Sequence, residues 1–321
     1  MAFQILSLSG GGYRGLFTAE ILARLEDRAG KPLAQCFDMI AGTSIGGIMA
    51  IGLALGKPAA EIRDIFQRNG TSVFPTKMPV IGKGLATIKG IFLPQYDGVA
   101  LRSTIDEVIG STATIADCRT RLLVPAVNVT AGRLQMFKTQ HDGRLTEDGR
   151  RNAMEVALAT SAAPLYFPLA KVGSSLYADG GLAANAPDVC AVHEAVHFCN
   201  QSIDDVSVLS IGTTAPGFGV PSSKGSKWGA WKWVIRRPRL VDIAFGVQQQ
   251  MVDFMMRHDL GERYLRIDET PSAEHLEDIG IDVAQEKRQA TLLSLAEHAF
   301  RRESSSTRLA QFLRHAPPAY S

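Results

Sequence analysis

Two glycine-framed turns near the N-terminus contain the residues with the clearest chemistry. Gly42-Thr43-Ser44-Ile45-Gly46 has the pattern G-x-S-x-G, in which a serine on a tight strand-to-helix turn exposes its hydroxyl group. Gly42 and Gly46 leave room for the bend and for close packing of the following helix. About thirty residues earlier, three consecutive glycines can turn backbone N–H groups toward one developing oxyanion. The predicted donors are Gly10, Gly11 and Gly12.

The two turns together predict a serine acyl hydrolase with Ser44 as its nucleophile. Arg14 follows the glycines and is predicted to hold the loop or to add positive potential, the alternative being an ordinary surface cation. The same glycines also match the dinucleotide fingerprint G-x-G-x-x-G. That fold needs an acidic residue at the end of its second strand, whereas Asp38 precedes the apolar stretch, so a nucleotide cofactor is disfavoured.

The general base is predicted less directly. Asp179-Gly180-Gly181 follows the short apolar stretch 176–178, so Asp179 would stand at a strand end before two glycines. Desolvation there would raise the pKa of Asp179 and make it a better base near neutral pH. Spacing alone favours an ordinary turn aspartate.

The sequence resembles the patatin-like phospholipases. Four segments in matching order, across roughly residues 1–215, carry the resemblance. They are Gly10–Gly15, Gly42–Gly46, the stretch Ala159-Thr160-Ser161-Ala162-Ala163-Pro164, and Asp179-Gly180-Gly181 with Asn185 and Pro187 just beyond. The resemblance implies a Ser44–Asp179 dyad without histidine. It also implies a three-layer α/β/α fold with a mostly parallel central sheet, and hydrolysis of the acyl esters of membrane glycerophospholipids.

The chain is further similar to patatin-like effectors of bacterial anti-phage systems, in which a cyclic dinucleotide activates the lipase. This likeness implies a cyclic dinucleotide activator and homo-oligomers, but it assigns no residues to an activator site. Two alternatives stay open. One is a triad esterase acting on soluble esters, with His193 or His197 added to Ser44 and Asp179 in the chain order of α/β-hydrolases. The other is a nucleotide-binding sensor without turnover.

The elements that position these residues can be read from hydrophobic patterning. Apolar runs, glycine turns and helical stretches alternate, which predicts a mostly parallel sheet with helices on both faces. The predicted strands are 3–9, 39–41, 122–129, 134–139, 175–178 and 206–211. The predicted helices are 16–28, 45–55, 59–67, 152–163, 188–198, 284–302 and 307–315. A single domain is predicted over residues 1–321, with the core motifs in 1–215 and a basic, tryptophan-containing loop plus C-terminal helices in 216–321.

Bulk composition excludes several classes of protein. A formal net charge of +2 gives no reason to expect a nucleic-acid polymer as partner. The four cysteines form no C-x-x-C pair, so neither a zinc site nor another metal site is expected, and the predicted chemistry needs no cofactor. Residues 39–56 are uncharged and nearly long enough to span a bilayer, but their glycines predict a buried strand, a turn and a buried helix. No signal peptide is predicted, because no basic region precedes the first apolar stretch.

Two stretches lack acidic residues but contain several basic ones. They lie between Asp64 and Asp97 and between Asp205 and Asp242. Their basic residues are Arg68, Lys77, Lys83, Lys89, Lys224, Lys227, Lys232, Arg236, Arg237 and Arg239. The second stretch also holds Trp228, Trp231 and Trp233, a mixture suited to an anionic bilayer surface, although tryptophans packed inward are the alternative. A cytoplasmic protein that associates peripherally with the inner face of the membrane when active is therefore predicted.

Overall fold

The computed structural model describes residues 2–75, 94–214, 239–272 and 280–318, together with residues 223, 225, 226 and 320. In this part of the chain eight strands form one sheet. They are β1 Phe3–Leu8, β2 Met39–Gly42, β3 Arg121–Asn128, β4 Arg133–Lys138, β5 Ala170–Val172, β6 Ser175–Asp179, β7 Val206–Ile211 and β8 Tyr264–Ile267. The described α-helices are α1 Gly15–Ala29, α2 Ile45–Leu55, α3 Ala59–Val73, α4 Val99–Ile109, α5 Ala153–Ser161, α6 Gly181–Ala184, α7 Asp188–Phe198, α8 Arg239–Leu260, α9 Glu286–Ser304 and α10 Thr307–Arg314.

The sheet is parallel through its middle and antiparallel at one side. Strands β3, β2, β1, β7 and β8 lie side by side and parallel. Strands β4, β5 and β6 are joined to β3 or to each other by antiparallel pairing. The predicted fold class, with its mostly parallel central sheet, is confirmed.

Successive strand residues pack against opposite faces of the sheet, as the two-residue strand period requires. Leu6 and Ile40 belong to a large hydrophobic cluster on the face covered by α1 to α5, α9 and α10. Ile5 and Met39 belong to a smaller cluster on the opposite face, where α7 and α8 pack. The sheet therefore lies between two helical layers.

The uncharged stretch 39–56 forms the predicted strand, turn and buried helix. Strand β2 and helix α2 are almost entirely buried, and Gly56 ends α2 in the left-handed conformation with φ 92°. Among the described residues, no helix combines the length and the apolar character needed to cross a bilayer. That the whole chain forms one domain stays a prediction.

Candidate active site

Ser44 lies at the sharp turn between β2 and α2. Its backbone has φ 55° and ψ −126°, a conformation that a residue with a side chain seldom adopts and that costs on the order of 1–3 kcal/mol. A β-carbon on Gly42 would lie 2.2 Å from the carbonyl oxygen of Gly46, and one on Gly46 would lie 2.4 Å from that of Leu8. Both framing positions therefore require glycine, and the predicted strand-to-helix turn is present.

The sheet topology brings Ser44 and Asp179 together from distant parts of the chain. Strand β4 occupies one edge of β3 along residues 123–128. The other edge is shared: β2 pairs in parallel with residues 121–123, and β6 pairs antiparallel with residues 126–128. The carboxyl ends of β2 and β6 therefore meet head to head beside β3, and Ser44 and Asp179 stand at these two ends.

The side chains of Ser44 and Asp179 are in direct contact. The Ser44 hydroxyl donates to Asp179 Oδ2 at 2.7 Å, and the Gly181 N–H donates to Asp179 Oδ1 at 2.7 Å. Asp179 is fully buried, and this desolvation raises its pKa to about 7 although both hydrogen bonds favour the ionised form. A carboxylate with such a pKa can take a proton from the hydroxyl near neutral pH.

The two glycines after Asp179 fit where no side chain could. A β-carbon on Gly180 would lie 2.2 Å from the carbonyl oxygen of Pro125 in β3. One on Gly181 would lie 2.8 Å from the Phe245 ring of α8. Close packing on both sides therefore fixes the backbone that presents the carboxylate.

The glycine loop after β1 lies directly beside Ser44. A β-carbon on Gly10 would be 3.2 Å from that of Ser44. The Gly10 N–H already donates to the Asn185 carbonyl oxygen at 2.8 Å, whereas no described residue accepts a hydrogen bond from the N–H of Gly11 or Gly12. Gly11 and Gly12 are therefore better placed than Gly10 to offer free donors. The assignment of Gly10, Gly11 and Gly12 to an oxyanion hole stays a prediction.

Neighbouring elements hold the glycine loop in place. The Arg14 Nε donates to the Gly11 carbonyl oxygen at 3.3 Å from a side chain that is almost fully buried. Burial lowers the pKa of the Arg14 guanidinium, and the nearby charges of Asp242 and Asp268 oppose that shift. Thr213 and Gln249 donate to the Gly10 carbonyl oxygen at 3.0 Å each. The role of Arg14 at the oxyanion hole stays a prediction.

A strap formed by Ile281 and Asp282, in the C-terminal part of the chain, contacts the same glycine loop and the segment before α4. The Tyr13 N–H donates to the Ile281 carbonyl oxygen at 2.7 Å, and Gly12 has a positive φ of 57° where a β-carbon would collide with that oxygen. The carboxylate of Asp282 accepts a hydrogen bond from the Tyr96 hydroxyl at 3.1 Å. The strap thus joins the glycine loop to the segment before α4.

An open cavity includes both Ser44 and Asp179 in its lining. It continues between α2, α3 and α4, and most of its wall is apolar. The apolar side chains along it include Leu16, Ile48, Phe66, Val73, Phe74, Leu101 and Phe167. A wall of this composition suits a hydrocarbon group better than a polar one.

The alternatives raised by the sequence find less support in the geometry. His193 and His197 lie on α7 with their rings 4.3 Å apart, and no described histidine hydrogen-bonds to Ser44 or Asp179. Asp38 lies at the amino end of β2, where it accepts from the Gln4 N–H and pairs with His315. An acidic residue for a ribose would have to stand at the opposite end of that strand.

Several predicted residues lie outside the described part of the chain. They are Lys77, Lys83, Lys89, Lys224, Lys227, Lys232, Arg236, Arg237, Trp228, Trp231 and Trp233. Of the other basic residues, Arg68 pairs with Glu107 at 3.3 Å, and Arg239 begins α8. Within the described ranges, no three residues of the His, Cys, Asp and Glu types are grouped so that they could hold a metal ion.

Helix α8 contributes residues to the site that sequence reasoning missed. Phe245 lines the cavity, Gln248 accepts from the Asn185 N–H at 3.1 Å, and Gln249 holds the glycine loop. The buried positions Phe245, Val252, Met256 and Leu260 are separated by seven, four and four residues. That spacing is the signal that could have revealed the helix.

Comparison with known proteins gives the family. The family model described as "Patatin-like phospholipase" matches residues 6–187, more than half of the chain. A protein of Pseudomonas aeruginosa is 38% identical over 99% of this chain and 93% of its own length. A protein of Vibrio cholerae is 37% identical over 91% of this chain and 88% of its own length. A protein of Escherichia coli is 36% identical over 88% of this chain and 84% of its own length. All three relatives are named "cGAMP-activated phospholipase". The family match and this likeness along most of the sequence place the chain in the patatin-like phospholipase family.

Proposed function

We propose that the protein is a phospholipase that cleaves the acyl esters of membrane glycerophospholipids with a Ser44–Asp179 dyad, and that a cyclic dinucleotide activates it. The observation that carries the catalytic proposal is the 2.7 Å hydrogen bond from the Ser44 hydroxyl to a fully buried carboxylate. Family membership and the names of the relatives support the substrate class and the activator.

The reaction proceeds through an acyl-enzyme. Asp179 takes the hydroxyl proton as Ser44 Oγ attacks the ester carbonyl carbon, and the N–H groups of Gly11 and Gly12 stabilise the oxyanion that forms. The tetrahedral intermediate expels the lysophospholipid alcohol, which receives the proton from Asp179. Asp179 then removes a proton from water, and this water attacks the acyl group on Ser44. The fatty acid leaves, and the hydroxyl group is restored.

The apolar cavity supports binding of the acyl chain beside the dyad. Its apolar walls remove the chain from water, and each buried methylene contributes about 0.8 kcal/mol. Because Ser44 and Asp179 belong to the lining of this cavity, an acyl chain bound there would have its ester carbonyl within reach of the nucleophile. Binding energy far from the bond that breaks thereby contributes to orientation.

Activation by cGAMP is tested by measuring fatty-acid release from phosphatidylethanolamine–phosphatidylglycerol vesicles with cGAMP, cyclic di-GMP, cyclic di-AMP or no nucleotide. We expect cGAMP to raise the rate at least tenfold, because an activator must bind the competent state better than the resting one. Full activity without nucleotide would reject the proposed activation by a cyclic dinucleotide but not the proposed hydrolysis of phospholipids. Sedimentation of the same samples would test whether homo-oligomers form, which stays a prediction.

Peripheral association with a phospholipid surface is also part of the proposal, and α8 supports it. One side of this helix packs on the sheet, while the other exposes large apolar side chains to solvent. These are Leu240, Val247, Met251, Phe254 and Met255. A helix that is apolar on both sides is usually covered on both, and a bilayer interface would cover the outer side.

Charge placed on the outer side of α8 should separate lipid binding from catalysis. We expect Met251→Glu and Phe254→Glu to reduce hydrolysis of the vesicles at least tenfold and to leave hydrolysis of 4-nitrophenyl butyrate unchanged. Leu134→Glu is the matched control, because it places the same charge on a leucine of β4 that is 42% exposed. Vesicle binding by the α8 variants equal to that of the control would contradict this role.

A further inference from the structure

Thr160, in the last turn of α5, makes a hydrogen-bonded bridge between Ser44 and strand β3. Its side chain is completely buried. The hydroxyl oxygen accepts a hydrogen bond from the Ser44 N–H at 3.0 Å, and the hydroxyl group donates to the Pro125 carbonyl oxygen at 2.6 Å. The orientation of the hydroxyl proton is therefore fixed, and its oxygen faces the backbone of the nucleophile.

The backbone of the same residue holds the other half of the dyad. The Gly180 N–H donates to the Thr160 carbonyl oxygen at 3.1 Å. Two residues further on, the Ala162 carbonyl oxygen accepts from the Asp179 N–H at 2.9 Å. The end of α5 is thus bonded to the peptide group of Ser44 on one side and to those around Asp179 on the other.

These bonds lie where the sheet itself provides no connection. The shared edge of β3 pairs with β2 up to Leu123 and with β6 from Ala126 onward, so Val124 and Pro125 lie in a gap between the two strands. Pro125 has no N–H to offer a neighbouring strand, and its carbonyl oxygen is taken by Thr160. The separation of the two strand ends is therefore not set by ladder hydrogen bonds across the gap.

We infer that Thr160 is a positioning residue that sets the distance between Ser44 and Asp179 by bridging this gap. The inference rests on the proposed function of the dyad. Without the hydroxyl, the Ser44 N–H and the Pro125 carbonyl oxygen would be buried without their partner, and unpaired buried groups drive local rearrangement. A displacement of about 1 Å between reacting groups lowers a rate about a hundredfold.

The test is Thr160→Val, which keeps the shape of the side chain and removes the hydroxyl. The methyl group of Thr160 packs on Gly47, and valine preserves this contact. With 4-nitrophenyl butyrate and cGAMP present, we expect kcat to fall about a hundredfold with little change in KM. Thr160→Ser keeps the hydroxyl and loses the methyl group, so we expect its kcat within about threefold of wild type.

A pH profile separates positioning from general loss of stability. If the Ser44–Asp179 hydrogen bond lengthens, Asp179 loses a contact that favours its ionised form, and the acidic limb of kcat/KM should move to higher pH. Thr139→Val is the matched control, because Thr139 is also completely buried. Its hydroxyl oxygen accepts a hydrogen bond of 3.0 Å from the Leu122 N–H, and neither residue contacts the dyad through a hydrogen bond. We expect this control to keep both kcat and the pH profile.

The outcomes are distinct. Thr160→Val with kcat within threefold of wild type, or Thr139→Val with an equal loss, would overturn the inference. Should Thr160→Val fail to fold by circular dichroism, Thr160→Ala, which also lacks the hydroxyl, is judged by the same kcat and pH criteria. Ser44→Ala is assayed alongside: if it retains activity, the proposed function fails, whereas its inactivity beside a fully active Thr160→Val rejects only the positioning role.

Discussion

Ser44→Ala should lower kcat for phospholipid hydrolysis by at least about 10⁴-fold while the protein stays folded, because an acyl-enzyme cannot form without the hydroxyl. The substitution removes one oxygen atom at a turn whose backbone is held by Gly42, Gly46 and the Thr160 hydroxyl. The measurements are fatty-acid release from vesicles with cGAMP, and labelling by a fluorophosphonate probe. Wild type should be labelled at Ser44 and the variant should not.

Labelling also separates the enzyme from the alternative of a sensor without turnover. A sensor would bind cGAMP without reacting with the probe. Retained hydrolysis in Ser44→Ala would show that another group performs the attack. The double variant His193→Ala/His197→Ala is the control for a histidine-dependent triad, and we expect it to keep most of the activity.

Asp179→Asn should lower kcat by about 10³–10⁴-fold, since the amide cannot accept the proton of the Ser44 hydroxyl. In the wild type, burial raises the pKa of Asp179 to about 7, and the base must be ionised to act. The value of kcat/KM should therefore fall as the pH drops below about 7. A profile that stays flat from pH 8 to pH 5 would contradict Asp179 as the base.

The same pKa makes a prediction about stability. Asp179 in the folded state has a pKa near 7, above the value of about 3.9 in an unfolded chain, so the native state binds the proton more tightly. The contribution of Asp179 to the free energy of unfolding should therefore decrease as the pH rises from about 4 to 7. Asp179→Asn has no carboxyl group that titrates at this position. The free energy of unfolding of the variant, relative to that of wild type, should therefore increase by up to about 4 kcal/mol between about pH 4 and pH 7. Urea unfolding at pH 4.5 and pH 8 measures the difference.

The sequence alone predicted the nucleophile turn because that turn is local. Ser44 follows a short apolar strand and precedes an apolar helix, and the glycines on both sides allow the close backbone approach that the turn requires. Its contact with Asp179 could not be derived in this way. That contact depends on β6 running against β3 while β2 runs with it, and no pattern within either strand specifies this direction.

Other elements were missed for physical reasons. Helix α8 carries apolar residues on both its inner and outer sides, so its helical period is partly hidden. Helix α4 was not predicted, and strands β5 and β8 have only three and four residues, too few for a clear alternation. The hydrogen bond from the Gly10 N–H to the Asn185 carbonyl oxygen joins segments far apart in the chain, so no local pattern could have predicted it.

The head-to-head meeting of β2 and β6 has a consequence for biosynthesis. Ser44 and Asp179 are 135 positions apart, so a ribosome completes the nucleophile turn long before it makes the base. Until β6 has been synthesised and has docked on β3, the nascent polypeptide contains a serine with no proton acceptor. If the proposed dyad is the catalytic pair, that pair is therefore incomplete until more than half of the chain has been translated.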